Sequence, residues 1–291
     1  VDSTKGYLCR FSSGRSINIF FYDGAISHGV AFGGLLRDGE TFARRLVGAF
    51  EEQTDHPQIV HIAADGETYG HHHRYGEMAL AYCLGFIQWN NLARLTNYAE
   101  YLSRHPPTEE TEIVENSSWS CSHGVERWRD NCGCHSGMHP GWTQAWRKPL
   151  RQAMDWLGKQ LNLLFDEEAG RYLSDPWRAR DDYIEVLLDR SPKSVQGFLK
   201  RNARRSLAGA EKERVFKLLE MEKNGLFSYT SCGWFFDDIA GLEAVQVMRY
   251  AARAMELALE LTGLPLEPDY LRMLEAAPSN LHENGTKVYD L

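Results

Sequence analysis

The chain has 291 residues, 43% of them hydrophobic and 25% charged, enough for one large domain or two ordinary ones around a sizeable core. A formal net charge of −8 argues against nucleic acid as the main partner. No apolar run approaches the ~20 residues that span a bilayer, so no membrane partner is expected. From residue 1 to about 115 strand and helix patterns alternate. Residues 15–22 (RSINIFFY) read as a strand and Asp23-Gly24 as a turn. Residues 40–52 read as a helix, with Phe42, Leu46, Val47 and Phe50 at helical spacing. Residues 58–64 form the next strand, helices follow near 76–89 and over 92–104, Pro106-Pro107 stops the second of these, and 111–115 is a third strand. Alternation of this kind implies a parallel sheet. The strands end in acids, Asp23, Asp65 and Glu115, which is the pattern of a polar site along one rim.

After residue 140 no strand pattern remains. Residues 142–165, 175–189, 194–207, 211–223 and 236–261 all carry helical periodicity. In the last, Ile239, Leu242, Val245, Met248, Ala252, Met255 and Leu259 form one stripe, read as core, and Gly263 and Pro265 end the helix. The basic cluster from Lys200 to Lys217 is interrupted by Glu211 and Glu213 and reads as a solvated helix face. The fold class is therefore α/β followed by all-α, divided as 1–115, a Cys/His/Trp-rich loop at 116–141, and a helical domain at 142–291.

The stretch Ala64-Asp65-Gly66-Glu67-Thr68-Tyr69-Gly70-His71-His72-His73 is poor material for a core and good material for an active site. If the strand conformation persists, His61, Ala63, Asp65 and Glu67 project to one side and Val60, Ile62 and Ala64 to the other. The first row would line a crevice and the second would pack under helices. The competing reading is a helix N-terminus whose first turn carries acids. An acid that delivers a proton to a leaving oxygen must hold that proton near neutral pH, which burial or a neighbouring carboxylate favours. Glu67 supplies such a neighbour to Asp65, and His61 moderates it.

Two further stretches stand out. Cys121, His123, Cys132 and Cys134 offer a Cys-x-His…Cys-x-Cys ligand set that suits a structural zinc in a closed tetrahedral site. His135 or His139 can replace one ligand; the alternatives are a glycine-rich loop of free thiols around Trp119 and Trp128, or a Cys132–Cys134 redox pair. In the run 229–238, Trp234 stands beside Asp237 and Asp238, a grouping that suits sugar binding, with Trp119 as a further aromatic surface. The alternative is an acidic first turn complementing a helix dipole beside core aromatics. Three of the six cysteines crowd into fourteen residues, unlike a disulfide framework, and point to a reducing, cytoplasmic setting. The start Val1-Asp2-Ser3 and the end at Leu291 give the chain the look of an interior piece of a longer protein.

Together these residues resemble glycoside hydrolase family 57, in the branch whose catalytic domain precedes domain of unknown function 3536. Ala64-Asp65-Gly66-Glu67-Thr68-Tyr69-Gly70 resembles the family's fourth motif, and Phe21-Tyr22-Asp23-Gly24-Ala25-Ile26-Ser27 the segment before it, with Tyr22 where an Arg is common. Residues 118–134 and 229–243 resemble the hallmark segments of the branch. The resemblance covers nearly the whole chain. It implies the C-terminal part of a (β/α)7 barrel followed by a helical domain, acting on an α-glucan or oligosaccharide with retention and needing no cofactor for catalysis. By position Asp65 is then the general acid/base, Glu67 its supporting carboxylate, and His71 and His72 line the site. Nothing in the chain matches the family's first motif or its nucleophilic Glu, which lie on earlier strands. Retention needs two carboxylates ~5–5.5 Å apart, so the nucleophile is expected upstream. The rival functions are a metal-dependent deacetylase-like hydrolase using Asp65 with His71, His72 and His73, and a non-catalytic carbohydrate-binding module. Oligomeric state leaves no mark in the sequence.

Overall fold

The computed structural model describes every residue except Met138 and Leu291. The chain folds as two compact units, residues 1–115 and 116–291. In the first, β1 (Gly6–Arg10) and β2 (Ser16–Phe20) pair antiparallel, with Gly6 opposite Phe20 and Arg10 opposite Ser16. Gly14, at φ +80°, turns the hairpin, and Phe11 N–H donates to the Arg15 carbonyl at 2.9 Å. Space at Gly6 is tight: a Cβ there would lie 3.0 Å from the Phe20 ring.

Four helices follow: α1 (Gly24–Ala31), α2 (Gly39–Val47), α3 (Gly76–Trp89) and α4 (Tyr98–Arg104). Asp23, Asp38 and Asn97 cap α1, α2 and α4 by accepting from the amides of Ile26, Thr41 and Glu100. The core of this unit is small: Ile26, Val30, Leu36, Phe42, Ala43, Cys83 and Ile87.

The expected parallel sheet is corrected here. Among the described residues the only sheet is the β1–β2 pair. Residues 58–64 are extended but make isolated bonds in place of a ladder: Ile59 N–H to the Thr4 carbonyl at 2.7 Å, and Asp23 N–H to the His61 carbonyl at 3.0 Å. The third expected strand contributes one parallel bridge, Leu8 with Glu110. A parallel strand reads as an apolar run because neighbours cover both its faces and pair with both its edges. The apolar run is present in residues 58–64, but continuous strand neighbours are not.

The second unit is helical: α5 (Arg147–Ala169), α6 (Pro176–Asp182), α7 (Ile184–Leu188), α8 (Pro192–Asn202), α9 (Gly209–Phe227), α10 (Leu242–Thr262), α11 (Glu267–Leu274) and α12 (Gly285–Tyr289). Asp175-Pro176 and Ser191-Pro192 open α6 and α8, each with a side-chain cap and a proline in the first turn, where no amide is needed. One core joins Leu150, Leu157, Leu161 and Phe165 of α5 to Val215, Leu218 and Leu219 of α9 and to α10. Each such buried side chain contributes roughly 1.5–3 kcal/mol.

The core face of α10 differs from the stripe read in the sequence. Ala244, Val247, Met248, Ala251, Ala254, Met255, Ala258 and Leu261 are buried, whereas Leu242 and Leu259 are largely exposed. Four alanines on the inner face let neighbouring helices approach closely, and small residues carry little weight in a hydrophobicity pattern. The basic cluster is indeed a surface of ion pairs, among them Arg205–Glu211 and Arg214–Glu168. No helix among the described residues is long and apolar enough to cross a membrane.

Candidate functional site

In the first unit the chain leaves the extended segment at Asp65 and enters one turn of 3-10 helix at Gly66–Thr68. The alternation expected of a strand survives locally. Ile62 and Ala64 pack on the core, and Ala63 and Asp65 are exposed. Beyond Asp65 the backbone folds back on itself. The amides of His71 and His72 both donate to the Glu67 carbonyl, at 3.1 and 2.9 Å, and Thr68 is buried beneath them. The result is a compact loop that holds Asp65, Glu67, His71 and His72 at the surface, with none of these four side chains engaged in a hydrogen bond or ion pair among the described residues. His71 and His72 touch each other edge to face, with ring centroids 5.1 Å apart.

His73 is turned inward, its Nε2 donating to the Ala31 carbonyl at 2.8 Å. Among the described residues Asp65 and the three histidines do not converge as a metal-ligand group, so the deacetylase-like arrangement finds no support.

The other rim residues have different placements. Asp23 is committed as the cap of α1, its Oδ1 accepting from Ile26 N–H at 2.8 Å. His61 is half-buried in an aromatic cage. Its Nδ1 lies 2.9 Å from the Tyr98 hydroxyl, and its ring meets Phe20 and Tyr98 edge to face. Burial lowers its pKa, against the opposing pull of the Phe21 and Ser3 carbonyls and of Asp23. Its Nε2 is buried with no hydrogen bond among the described residues, beside an apolar cavity of about 420 Å³ lined in part by Leu46, Val47, Phe50 and Ile59. Glu115 is exposed at the end of the unit.

In the second unit Cys121, His123, Cys132 and Cys134 come together, their ligand atoms all within 4.8 Å of one another. Cys121 Sγ lies 3.8 Å from both Cys132 Sγ and Cys134 Sγ, and Cys134 Sγ lies 3.5 Å from His123 Nδ1. Ligands at zinc bond lengths and tetrahedral angles would stand about 3.8 Å apart for two sulfurs and about 3.6 Å for sulfur and nitrogen. The group can therefore hold a metal ion. Gly133, at φ +79°, allows the Cys-Gly-Cys hairpin. At Gly124 (φ +81°) a Cβ would stand 2.2 Å from the Asn116 carbonyl oxygen. Burial pushes the Cys121 thiol up, but the amides of Arg127 and His123 and the thiols of Cys134 and Cys132 outweigh it and bring it down to about 7. Cys132 is raised, chiefly by burial.

Two buried guanidinium groups brace this loop. Arg147 donates to the carbonyls of Cys134, Phe235 and Phe236 at 2.7, 3.2 and 3.0 Å. Arg127 donates to those of Phe235 and Ser120 at 3.0 and 2.9 Å and lies 3.8 Å over the Phe235 ring. Arg147 is fully buried with no carboxylate in ion-pair range among the described residues; burial and Arg127 lower its pKa to about 10, while Cys132, Asp237 and Cys134 support its charge.

The sugar-binding reading of residues 229–238 is corrected by the same geometry. Asp237 is buried and accepts from both the amide and the hydroxyl of Ser136 at 2.6 Å. Asp238 is buried and accepts from Ala240 N–H at 2.8 Å, Ser279 Oγ at 2.8 Å, Asn280 N–H at 2.5 Å and Asn280 Nδ2 at 2.7 Å. Trp234 is buried, its Nε1 donating to the Arg147 carbonyl at 3.3 Å. These three side chains hold loops together and leave nothing for a ligand. Trp119 is the reverse case: it is 80% exposed and tilted against Phe235.

Residues 142–291 match the family described as a domain of unknown function, DUF3536. The chain belongs to the DUF3536 family. No curated protein matches its sequence. The fold is similar to that of an exo-type maltose-forming amylase from Pyrococcus sp. ST04, with a TM-score of 0.69 and 15% identity over 94% of this chain and 51% of that one. The chain thus spans about half the length of that amylase.

Within the DUF3536 region, sequence reasoning missed Arg147, Asn280 and Glu222. Arg147 reads as an ordinary charge at a helix start, and the only hint of burial is its setting between Trp146 and Pro149. Asn280 is 42 positions from the carboxylate it binds, a separation that no local pattern records. Glu222 lies on the inner face of α9 beside Met221, among the apolar positions Val215, Leu218 and Leu219 and three residues before Gly225.

Proposed function

We propose that this chain is the Asp65-bearing part of a retaining α-glucan hydrolase or glucanotransferase. The observation that carries the reading is the Asp65 loop: a carboxylate held at the surface where an extended segment leaves the core, with Glu67, His71 and His72 exposed on the same loop and all four unengaged among the described residues. The likeness to a maltose-forming amylase and the motif resemblance support the substrate class. In this reading Asp65 delivers a proton to the leaving glycosidic oxygen and then accepts one from water. Glu67 and the two histidines bind hydroxyls around it, with Glu115 as a further contact. In this reading the 1–115 unit, whose extended segments lack continuous strand neighbours, is the C-terminal part of a (β/α)7 barrel completed by the other half of such a fold, which carries the partner carboxylate outside these 291 residues. The setting is cytoplasmic.

The test is sugar release from α-glucans by the intact protein that contains this chain, with the anomer of the first product read by NMR. Retention and loss of turnover in Asp65→Asn are expected. Turnover by the 291-residue chain alone would contradict the two-carboxylate reading.

We propose further that Cys121, His123, Cys132 and Cys134 hold a structural zinc. Three thiolates and one zinc ion carry a net charge of −1, and Arg147 and Arg127 stand ready to balance it. With four protein ligands the ion has no open position, so it serves to tie the loop and takes no catalytic role. Elemental analysis should find one zinc per chain, and none in Cys121→Ser; purified wild-type protein without metal would rule the assignment out.

A further inference from the structure

Helices α5, α6 and α9 enclose a cavity of about 330 Å³ in the second unit, within the range of ~300–1,000 Å³ that small-ligand sites occupy. Its wall includes Asp155, Lys159, Asn162, Arg180, Glu222 and Tyr229. Glu222 is 2% exposed, and its Oε1 has no hydrogen-bond partner among the described residues. Its other oxygen lies 3.9 Å from Arg180 Nη1, a loose contact because Arg180 Nε and Nη2 are directed to Asp181. A buried carboxyl left so poorly matched is costly, and cores replace such groups unless something uses them. Burial holds its proton up to about 7, with Arg180 opposing.

The remaining groups define the ligand. Asp155 Oδ1 is occupied, accepting from Arg151 Nε and the Tyr229 hydroxyl at 2.9 Å each, so Oδ2 remains free to accept. Lys159 and Asn162 are exposed at the mouth and make no side-chain hydrogen bond or ion pair among the described residues. Donors and acceptors are thus mixed around the wall, and two cations balance two acids. A net ion of either sign would meet a like charge. Leu161 and Leu226, with the bare backbone of Gly158 and Gly225, add an apolar side. We propose that this cavity binds a neutral polyhydroxylated ring compound, a mono- or disaccharide, with a ligand hydroxyl completing the bonding of Glu222. The site belongs to the DUF3536 region and goes beyond the reading of Asp65, on which it does not depend.

The experiment is calorimetric or saturation-transfer NMR titration of the 291-residue protein with glucose, maltose and myo-inositol. Three variants are compared with wild type. Glu222→Leu removes the buried carboxyl, Asn162→Leu changes only the exposed mouth and so leaves folding alone, and Asp65→Asn alters only the first unit. Saturable binding of glucose or maltose is expected, weakened about tenfold or more by Glu222→Leu and by Asn162→Leu, and unchanged in Asp65→Asn. Binding of myo-inositol alone would move the ligand class from sugar to cyclitol and overturn the assignment. So would titrations showing no binding, or binding that survives both cavity substitutions. Loss in Asp65→Asn alone would place the sugar at the first unit and refute the cavity while sparing the catalytic reading.

Discussion

The loop at residues 65–72 and the paired segments 121–136 and 235–238 are built from the same kinds of residue, and the fold uses them in opposite ways. In the first, two acids and two histidines are held out by backbone bonds that involve none of their side chains. In the second, Asp237 and Asp238 are each held by several donors, the guanidinium groups of Arg127 and the adjoining Arg147 are buried against carbonyls, and thiols and an imidazole face one another. Acid pairs that look alike in sequence, Asp65 with Glu67 and Asp237 with Asp238, are therefore opposites in three dimensions. Unengaged polar groups held by a well-bonded backbone are what chemistry requires; saturated ones are what stability requires.

That contrast can be broken at several points. The largest effect on stability is expected from the metal. Stripping it with a chelator, or Cys121→Ser, should lower the unfolding free energy of the second unit by several kcal/mol, a fraction of the ~10–16 kcal/mol seen for structural zinc in peptides. Calorimetry before and after zinc is restored reads it; an unfolding transition indifferent to chelation would remove the metal from the account. Next comes Asp238→Ala, which strands the amide of Asn280 and three further donors. About 3 kcal/mol of destabilisation is expected. Asp65→Ala in the same assay should stay within about 0.5 kcal/mol of wild type. Equal effects would erase the distinction between the two acid pairs.

Glu222 offers a pH test. Its carboxyl titrates near 7 when folded against 4.5 as a model group, so the folded state holds the extra proton between those values. Its contribution is fully favourable below pH 4.5 and is lost as pH rises through 7, a change of about 3 kcal/mol. Arg180, Asp155 and Lys159 are the charged groups around the same cavity. Glu222→Gln should flatten the pH dependence of unfolding between 5 and 8, and an unchanged profile would assign that slope to other groups. The smallest effect is expected at His61: burial lowers its pKa, so protonation below about 6.5 costs stability in the first unit, and His61→Phe should remove that acid sensitivity.

What was legible in the sequence follows a physical line. Helix α3 stands where the pattern put it, 76–89, because its limits are set locally by Gly76 and the Asn90-Asn91 stop. Residues 142–291 read as helical for the same reason. Strand β1 went unread, although Ser13-Gly14 between two apolar stretches is a hairpin signal, because five residues with a glycine at the start carry little pattern. Helix α10 begins at Leu242 and not near Phe236, because Asp237 and Asp238 are drawn into loops by Ser136, Ser279 and Asn280. Partners so distant in sequence leave no local trace. Convergence of the four Cys/His ligands was legible because soft ligands at short spacing have few other uses, whereas the two arginines that brace them have many.

The most direct test of the account is the leaving-group dependence of Asp65→Asn in the intact protein. Asn keeps the shape of the side chain and cannot deliver a proton. With an unactivated α-glucan the turnover rate should fall by ~10²–10⁴-fold with little change in the Michaelis constant. With an aryl glycoside whose leaving group needs no proton, the glycosylation step should retain most of its rate. A variant that cleaves both substrates at the wild-type rate, or loses both equally, would contradict Asp65 as the proton donor.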